Sequence, residues 1–264
     1  MTNDVSRLVS YETRAGVALL TLCNPPANAY SYEMFRQFDD AILRARMDEQ
    51  VHVIVVTGAG DGFFCAGADI AMLGSVTPEF KYYFCLHANE TLLRLEHTPK
   101  LVIAAIGGHC VGGGLEIALA CDLRLAKRGK AKFGLPEVAL GVLPGTGGTQ
   151  RLARTVGRAT ALQLMVEGER FGVERAQELG VVHRIIDEDF MPAVMAYAAQ
   201  FCPPHKAAMA VGHIKRAVAT GTDLPLEAGL SLERELQQRL FASLDAAEGI
   251  AAFRAGKVPV FSGK

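Results

Sequence analysis

No two of the six cysteines form a Cys-x-x-Cys, and no His/Cys cluster has zinc spacing, so no metal site is expected. Cys23, Cys65, Cys85, Cys110, Cys121 and Cys202 sit in apolar strand-like and helix-like runs, and read as buried free thiols of a reducing compartment rather than a disulfide framework. Charge of one sign is missing as well: 27 basic against 28 acidic residues leave a formal net charge of −1. Nothing draws the whole molecule to nucleic acid or an anionic membrane, so neither is an expected partner; an anionic ligand would have to be held by local dipoles and a few local cations. The longest uncharged run near the middle, 101–115, contains five glycines and a histidine, and falls short of the ~18 apolar residues of a spanning helix. Residues 1–10 have neither the apolar centre of a signal peptide nor an Arg/Ser-rich amphipathic pattern. A soluble, cytoplasmic protein is the expectation.

What is there is patterning. Half of the 264 residues are hydrophobic, and a chain of this length can bury roughly three-quarters of its unfolded surface without a metal or disulfide staple. Residues 8–23 predict two short strands broken at Ala15-Gly16, ended by Asn24-Pro25-Pro26 because proline lacks the ladder donor. After Ser31, an N-cap candidate, Met34, Phe35, Phe38, Ile42 and Leu43 recur at helical spacing. The β-branched run 51–58 (VHVIVVTG) has the signature of a strand buried on both faces. A helix is predicted over 78–97, a second buried strand over 100–108, a short helix opened by the glycines 112–114, and strand-like pieces in LRLAK and AKFG. This alternation argues an α/β fold with mostly parallel strands. Beyond about residue 150 the pattern is almost wholly helical apart from VVHRII, ending in amphipathic helices over LERELQQRLF and AAEGIAAFRAGK. Two parts follow: a core over 1–200 and a helical region over 201–264 suited to packing on a partner chain.

The chemistry-bearing candidates cluster around glycines. In VGGGLEIALACD, Gly112, Gly113 and Gly114 let the backbone approach a ligand, and the first helical turn presents unpaired N–H groups that would stabilise an oxyanion at Gly113. A tight strand–helix turn is the bland alternative. No Gly-Lys-Ser/Thr follows and no GxGxxG is present at this turn, which removes the phosphate-loop reading. Glu116 lies among Leu115, Ile117 and Leu119, where a carboxylate must be paired or accept a raised pKa. Glu137, in FGLPEV, is the second carboxylate in an apolar setting, and such a pair suits general acid/base work; a first-turn glutamate favoured by the helix dipole and an unrelated surface glutamate are the bland alternative. The stretch Phe64-Cys65-Ala66-Gly67-Ala68-Asp69-Ile70 allows another close backbone approach and a second N–H to the same oxygen, with Asp69 as a cap; alone it is an ordinary strand–loop–helix junction. The loop 143–149, with Gly145 and with Arg151 close behind, reads as an anion holder or a simple connector. His109 reads as structural, and Cys65 and Cys110 have no basic partner in sequence to activate them.

The order of FFCAGADI, KLVIAAIGGHCVGGGLEIALACD and FGLPEVALGVLPGTGGTQRL resembles the enoyl-CoA hydratase/isomerase (crotonase) superfamily from about Val17 to Ile186. The resemblance implies a spiral of ββα turns with a C-terminal helical trimerisation region, assembled as a homotrimer or a hexamer (dimer of trimers). It implies an acyl-CoA thioester substrate and no cofactor, coenzyme A entering as part of the substrate. By the same resemblance the N–H groups of Ala68 and Gly113 form an oxyanion hole, and Glu116 and Glu137 are the catalytic carboxylates. Ala27, Ala66, Gly67, Asp69, Ile70, Gly112, Leu135, Pro136, Gly145 and Lys257 then belong to the substrate or CoA site. Two departures bear on the CoA phosphates. Ala71 follows Ile70 where relatives often carry lysine, and the basic residue often found near Asn24-Pro25-Pro26 is missing; Lys257 or Arg254 of a neighbouring tail is the substitute. Both glutamates together favour hydration of a 2-enoyl-CoA. Double-bond isomerisation, thioester hydrolysis and hydration of a cyclic or branched acyl-CoA are the rival chemistries, and a non-catalytic RNA- or protein-binding role is the rival of another class.

Overall fold

The computed structural model describes residues 7–187 and 189–264. Residues 1–6, shared by the expected 1–200 core and the 1–10 segment without a leader pattern, and Glu188 lie outside the described residues. Strands β1 (Val9–Arg14) and β2 (Val17–Leu22) pair antiparallel around Ala15 and Gly16, at φ 49° and 79°. The Ser31 hydroxyl accepts from Met34 N and starts α1 (Tyr32–Met47). A unit then recurs: a long buried strand, a short strand, a helical piece. The first is β3 (Val53–Gly58), β4 (Phe63–Cys65), α2 (Ile70–Ser75) and α3 (Pro78–Glu96). The second is β5 (Leu101–Ile106), β6 (His109–Val111) and α4 (Gly113–Leu119). The third is β7 (Leu123–Lys127), β8 (Phe133–Gly134) and a 3-10 turn, Glu137–Leu140. There follow α5 (Gly148–Val156), α6 (Arg158–Glu167), α7 (Val173–Glu178), β9 (Arg184–Ile186), α8 (Phe190–Ala199), α9 (Ala208–Gly221), α10 (Leu226–Phe241) and α11 (Leu244–Arg254).

The long strands form one sheet in the order β1-β2-β3-β5-β7-β9, parallel beyond β2, and the short strands form a parallel sheet β4-β6-β8. Each turn of chain thus adds one strand to each sheet, which is the expected spiral of ββα turns. The uninterrupted apolar character of β3 and β5 has a direct cause. Ile54, Val56, Val102 and Ala104 face Phe35, Phe38, Phe84 and Leu92, while Val53, Val55, Ile103 and Ala105 face Phe190, Val194 and Ala198 of α8. With both sheet faces covered, each fully buried Ile, Leu or Phe contributes roughly 1.5–3 kcal/mol.

The third turn is held to the C-terminal helices by charge. Lys215 of α9 lies 2.9 Å from Asp122, and also donates to the carbonyls of Leu95 and Lys100. Asp122 in turn accepts from Val102 N at 2.7 Å. Farther out, α10, α11 and the tail leave Leu226, Phe253 and Val258 between 78% and 87% exposed. Among the described residues no helix is long and apolar enough to cross a membrane. All six cysteines are unpaired thiols, four of them buried.

Candidate active site

Three short segments meet where the two sheets adjoin. The first is fixed by Asn28, whose side-chain amide donates to the carbonyls of Ala59 and Phe63 at 2.9 and 2.8 Å. The chain 27–30 then runs alongside 66–69: Ala66 N donates to Ala27 O, Tyr30 N to Gly67 O, and Asp69 N to Tyr30 O, at 3.0, 2.8 and 2.9 Å. In this parallel bridge Tyr30 bonds the residues on either side of Ala68, so the Ala68 N–H points away from Tyr30. Asp69 carries out its expected task, capping α2 through bonds from Ala71 N and Met72 N.

The second segment is the glycine turn. Gly112 has φ 56° and ψ −136°, a conformation strained for a residue with a Cβ. Its N–H is tied to Gly134 O at 2.9 Å, which brings β8 and the following Leu135-Pro136-Glu137 alongside. Gly113 opens α4, so its N–H has no intrahelical acceptor. A side chain at Gly67 would begin 2.9 Å from that nitrogen, and one at Gly112 would begin 3.2 Å from Glu137 Oε1. The Gly67-Ala68 backbone, the Gly113 N–H and the Glu137 carboxylate are therefore immediate neighbours.

The third segment is the loop 143–149, and the anion it holds is the protein's own. Glu116, 2% exposed, accepts at Oε1 from Thr146 N (2.8 Å) and Gly148 N (2.7 Å) and at Oε2 from the Thr146 hydroxyl. Arg151 is not a free anion receptor. It forms a two-pronged pair with Glu96 at 2.7 and 2.6 Å and donates to Thr146 O at 3.1 Å, holding the loop in place.

The two carboxylates differ in their surroundings. Burial pushes the Glu116 pKa up, while the Thr146 hydroxyl, the two N–H donors and Arg151 pull it back. Glu137 is half-buried at the start of its 3-10 turn, and its Oε2 is buried without a hydrogen-bond partner. Burial first, and then the charge of Glu116, push its carboxyl up to about 7, against a small pull from Lys81 of α3. Both carboxyls are pushed up by burial, Glu116 against three hydrogen-bond donors and Glu137 with no partner on Oε2, so the two groups hold their protons in unlike surroundings. Such unlike surroundings suit the separate tasks of a general base and a general acid at neutral pH.

Of the other expected residues, Leu135 is buried against Gly148, and Pro136 is half-buried beside it. Gly145 faces the Cys85 thiol, which lies 3.1 Å from where a Cβ would stand. Ile70 is 61% exposed at the start of α2. Lys257 lies on the surface after α11, bonded by its N–H to Ala252 O, and none of its contacts joins it to the carboxylates within one chain. His109 is structural, accepting from Lys132 N at Nδ1. Burial pushes the Cys65 thiol up to about 12 and the Cys110 thiol well above its ordinary value. Thr146 and Tyr30 went unremarked as side chains in the sequence, where nothing distinguishes a loop threonine or a pre-helix tyrosine.

A family model described as Enoyl-CoA hydratase/isomerase matches residues 12–264. A probable enoyl-CoA hydratase of Bacillus subtilis is 38% identical over 94% of this chain and 96% of its own length. The crotonyl-CoA hydratase of Syntrophomonas wolfei is 34% identical, covering 92% and 93%. A crystal structure of an enoyl-CoA hydratase from Geobacillus kaustophilus superposes with a TM-score of 0.95 at 41% identity, covering 97% of each chain.

Proposed function

The chain belongs to the enoyl-CoA hydratase/isomerase family, and from that premise we propose that it reversibly hydrates the double bond of a 2-enoyl-CoA thioester to a 3-hydroxyacyl-CoA. The thioester oxygen sits between the N–H groups of Ala68 and Gly113. Water attacks Cβ, Glu116 takes the proton that water loses, and the displaced electron pair moves through Cα to the thioester oxygen as an enolate. Protonated Glu137 then delivers its proton to Cα. Each oxyanion donor of this kind typically lowers the barrier by about 3–4 kcal/mol. The reaction uses no cofactor beyond the coenzyme A carried by the substrate. The observation that carries this reading is the contrast between the carboxylates: three donors on Glu116, and an unpartnered buried oxygen on Glu137 beside the glycine turn.

The supporting residues divide in the same spirit. Ala27, Ala66, Gly67, Asp69, Ile70 and Gly112 line the approach of the CoA and thioester, and Leu135, Pro136 and Gly145 border the acyl end. The CoA phosphates, which meet Ala71 rather than a lysine in this chain, are met by Lys257 or Arg254 of a neighbouring copy. The core over 1–200 carries the chemistry, and 201–264 carries the contacts between copies in a cytoplasmic homotrimer, or a hexamer of two trimers. The exposure of Phe253 and Val258 supports that assembly.

The test is loss of the conjugated enoyl absorbance of crotonyl-CoA. The wild type should bleach it rapidly, and Glu137→Gln should lower kcat by about a thousandfold, within the usual range for a general acid or base. Double-bond migration needs only one carboxylate, so Glu116→Gln separates the chemistries. Hydration should collapse in that variant, whereas an isomerase would largely survive it. A wild type inert towards crotonyl-CoA and a panel of longer, branched and cyclic enoyl-CoA esters would sink the proposal.

A further inference from the structure

A carboxylate has about four acceptor sites, two on each oxygen. On Glu116, Oε1 accepts two peptide N–H groups and is full, while Oε2 accepts only the Thr146 hydroxyl and has one site left. On the hydratase reading, on which this inference rests, the proton taken from water goes to Oε2. Behind Thr146 stands Tyr30, 3% exposed, with its hydroxyl oxygen 3.4 Å from Thr146 Oγ1. The phenol lies hard against the glycine turn, since a Cβ on Gly113 would fall 2.0 Å from its oxygen. Phe35 and Phe84 enclose the ring, at centroid distances of 4.6 and 6.0 Å.

We infer that Tyr30 and Thr146 are positioning residues of the reaction: a chain of two hydroxyls that ends on the one oxygen of Glu116 able to take a proton and holds that oxygen ionised between turnovers. The direction of the chain follows from Thr146. Thr146 has one hydroxyl hydrogen and gives it to Oε2, so the contact with Tyr30 is made by the phenol hydrogen, and burial keeps that proton on the phenol. Thr146 accepts that bond and directs its own hydrogen to Oε2. A donor fixed on Oε2 lowers its proton affinity. Because Glu116 and Glu137 act on each other, this donor helps decide which of the two carries the proton.

The titratable groups on the elements packed against α4, which are α5, β4 and β6, leave that role to the hydroxyls. Arg151 of α5 acts at longer range and is paired with Glu96, Arg154 of the same helix pairs with Asp223, and Glu137 is the partner carboxylate. Cys65 of β4 and Cys110 of β6 are buried and neutral, and His109 of β6 is tied to Lys132.

The experiment compares Thr146→Val, which removes the hydroxyl without leaving a hole, with Thr146→Ser and Tyr30→Phe. The pH profile of kcat on crotonyl-CoA is the first readout. Losing a hydrogen bond to a charged group should move the acid limb of Thr146→Val upward by about one pH unit, a tenfold change in proton affinity. KM should stay within about twofold of wild type. Thr146→Ser should restore the wild-type limb, and Tyr30→Phe should give a smaller upward shift because its contact is longer. The second readout needs no turnover. Infrared pH-difference spectra, with Glu116→Gln identifying the band, follow the carboxyl directly, and Thr146→Val should titrate at higher pH than wild type. If the band moves but crotonyl-CoA is not hydrated, the hydroxyl chain stands and the substrate reading falls. If neither the band nor the acid limb moves in Thr146→Val, or if only KM changes, the inference is wrong.

Discussion

At Glu137 the cost of burial is offset only by its own backbone N–H and the distant Lys81 charge, with Oε2 left unpartnered, and the consequence reaches beyond the reaction. Its carboxyl is pushed up to about 7 in the folded chain, whereas in the unfolded chain it titrates in the ordinary carboxylate range. A raised folded pKa means the native state binds this proton more tightly. The associated stability is fully present in acid and is lost as pH rises from the ordinary carboxylate range to about 7. Since the group is partly exposed, solvent screening reduces the effect to about 1–2 kcal/mol. Glu137→Gln cannot ionise, so urea unfolding midpoints across this window should show the wild type losing stability relative to the variant. Parallel curves would mean that the carboxyl is solvated like any surface glutamate.

At the scale of elements, α5 serves the site through Arg151, whose bond to Thr146 O keeps the loop against Glu116. Arg151→Lys keeps the charge and loses the planar fork. It should cost about 1–2 kcal/mol in thermal unfolding and lower kcat severalfold, with Glu96 left half-paired. How far such elements could be read from the sequence depended on their length. The long strands and α1 announced themselves, because runs of five buried residues in β3 and β5, or Phe35, Phe38 and Ile42 at helical spacing, make a pattern. The second sheet showed only at β8, inside the strand-like AKFG; β4 and β6 have three residues each, too few for any period. Both glutamates were legible because a carboxylate among apolar neighbours is an anomaly in itself. The Thr146 and Tyr30 hydroxyls were not, since their meaning comes from a contact spanning 116 positions of chain.

For the whole molecule, the Lys215–Asp122 pair and the bare apolar tail set two different kinds of stability. The pair is internal, with side-chain exposures of 4% and 20%. Lys215→Met would leave Asp122 buried without its cation, at a cost of about 3–5 kcal/mol, to be read in the midpoint of chemical unfolding. The tail is external: Phe253 is 87% exposed in the single chain, an arrangement suited to burial against another copy. Phe253→Asp should lower the assembly state in sedimentation equilibrium at micromolar protein. An unchanged mass would remove Phe253 from any contact between copies.

The pair of N–H groups on Glu116 Oε1 belongs to the backbone at Thr146 and Gly148, and that makes this half of the site a matter of spelling length as much as letters. Most substitutions at Thr146 keep the amide that points at the carboxylate; adding or deleting one residue between Pro144 and Gly148 moves both amides at once. Tolerance in this loop should therefore run opposite to the usual rule for surface connections. It should be permissive to replacement at Leu143, its one exposed position, and closed to insertion, and a library of single-residue insertions across 143–149 would show it as a gap with sharp edges.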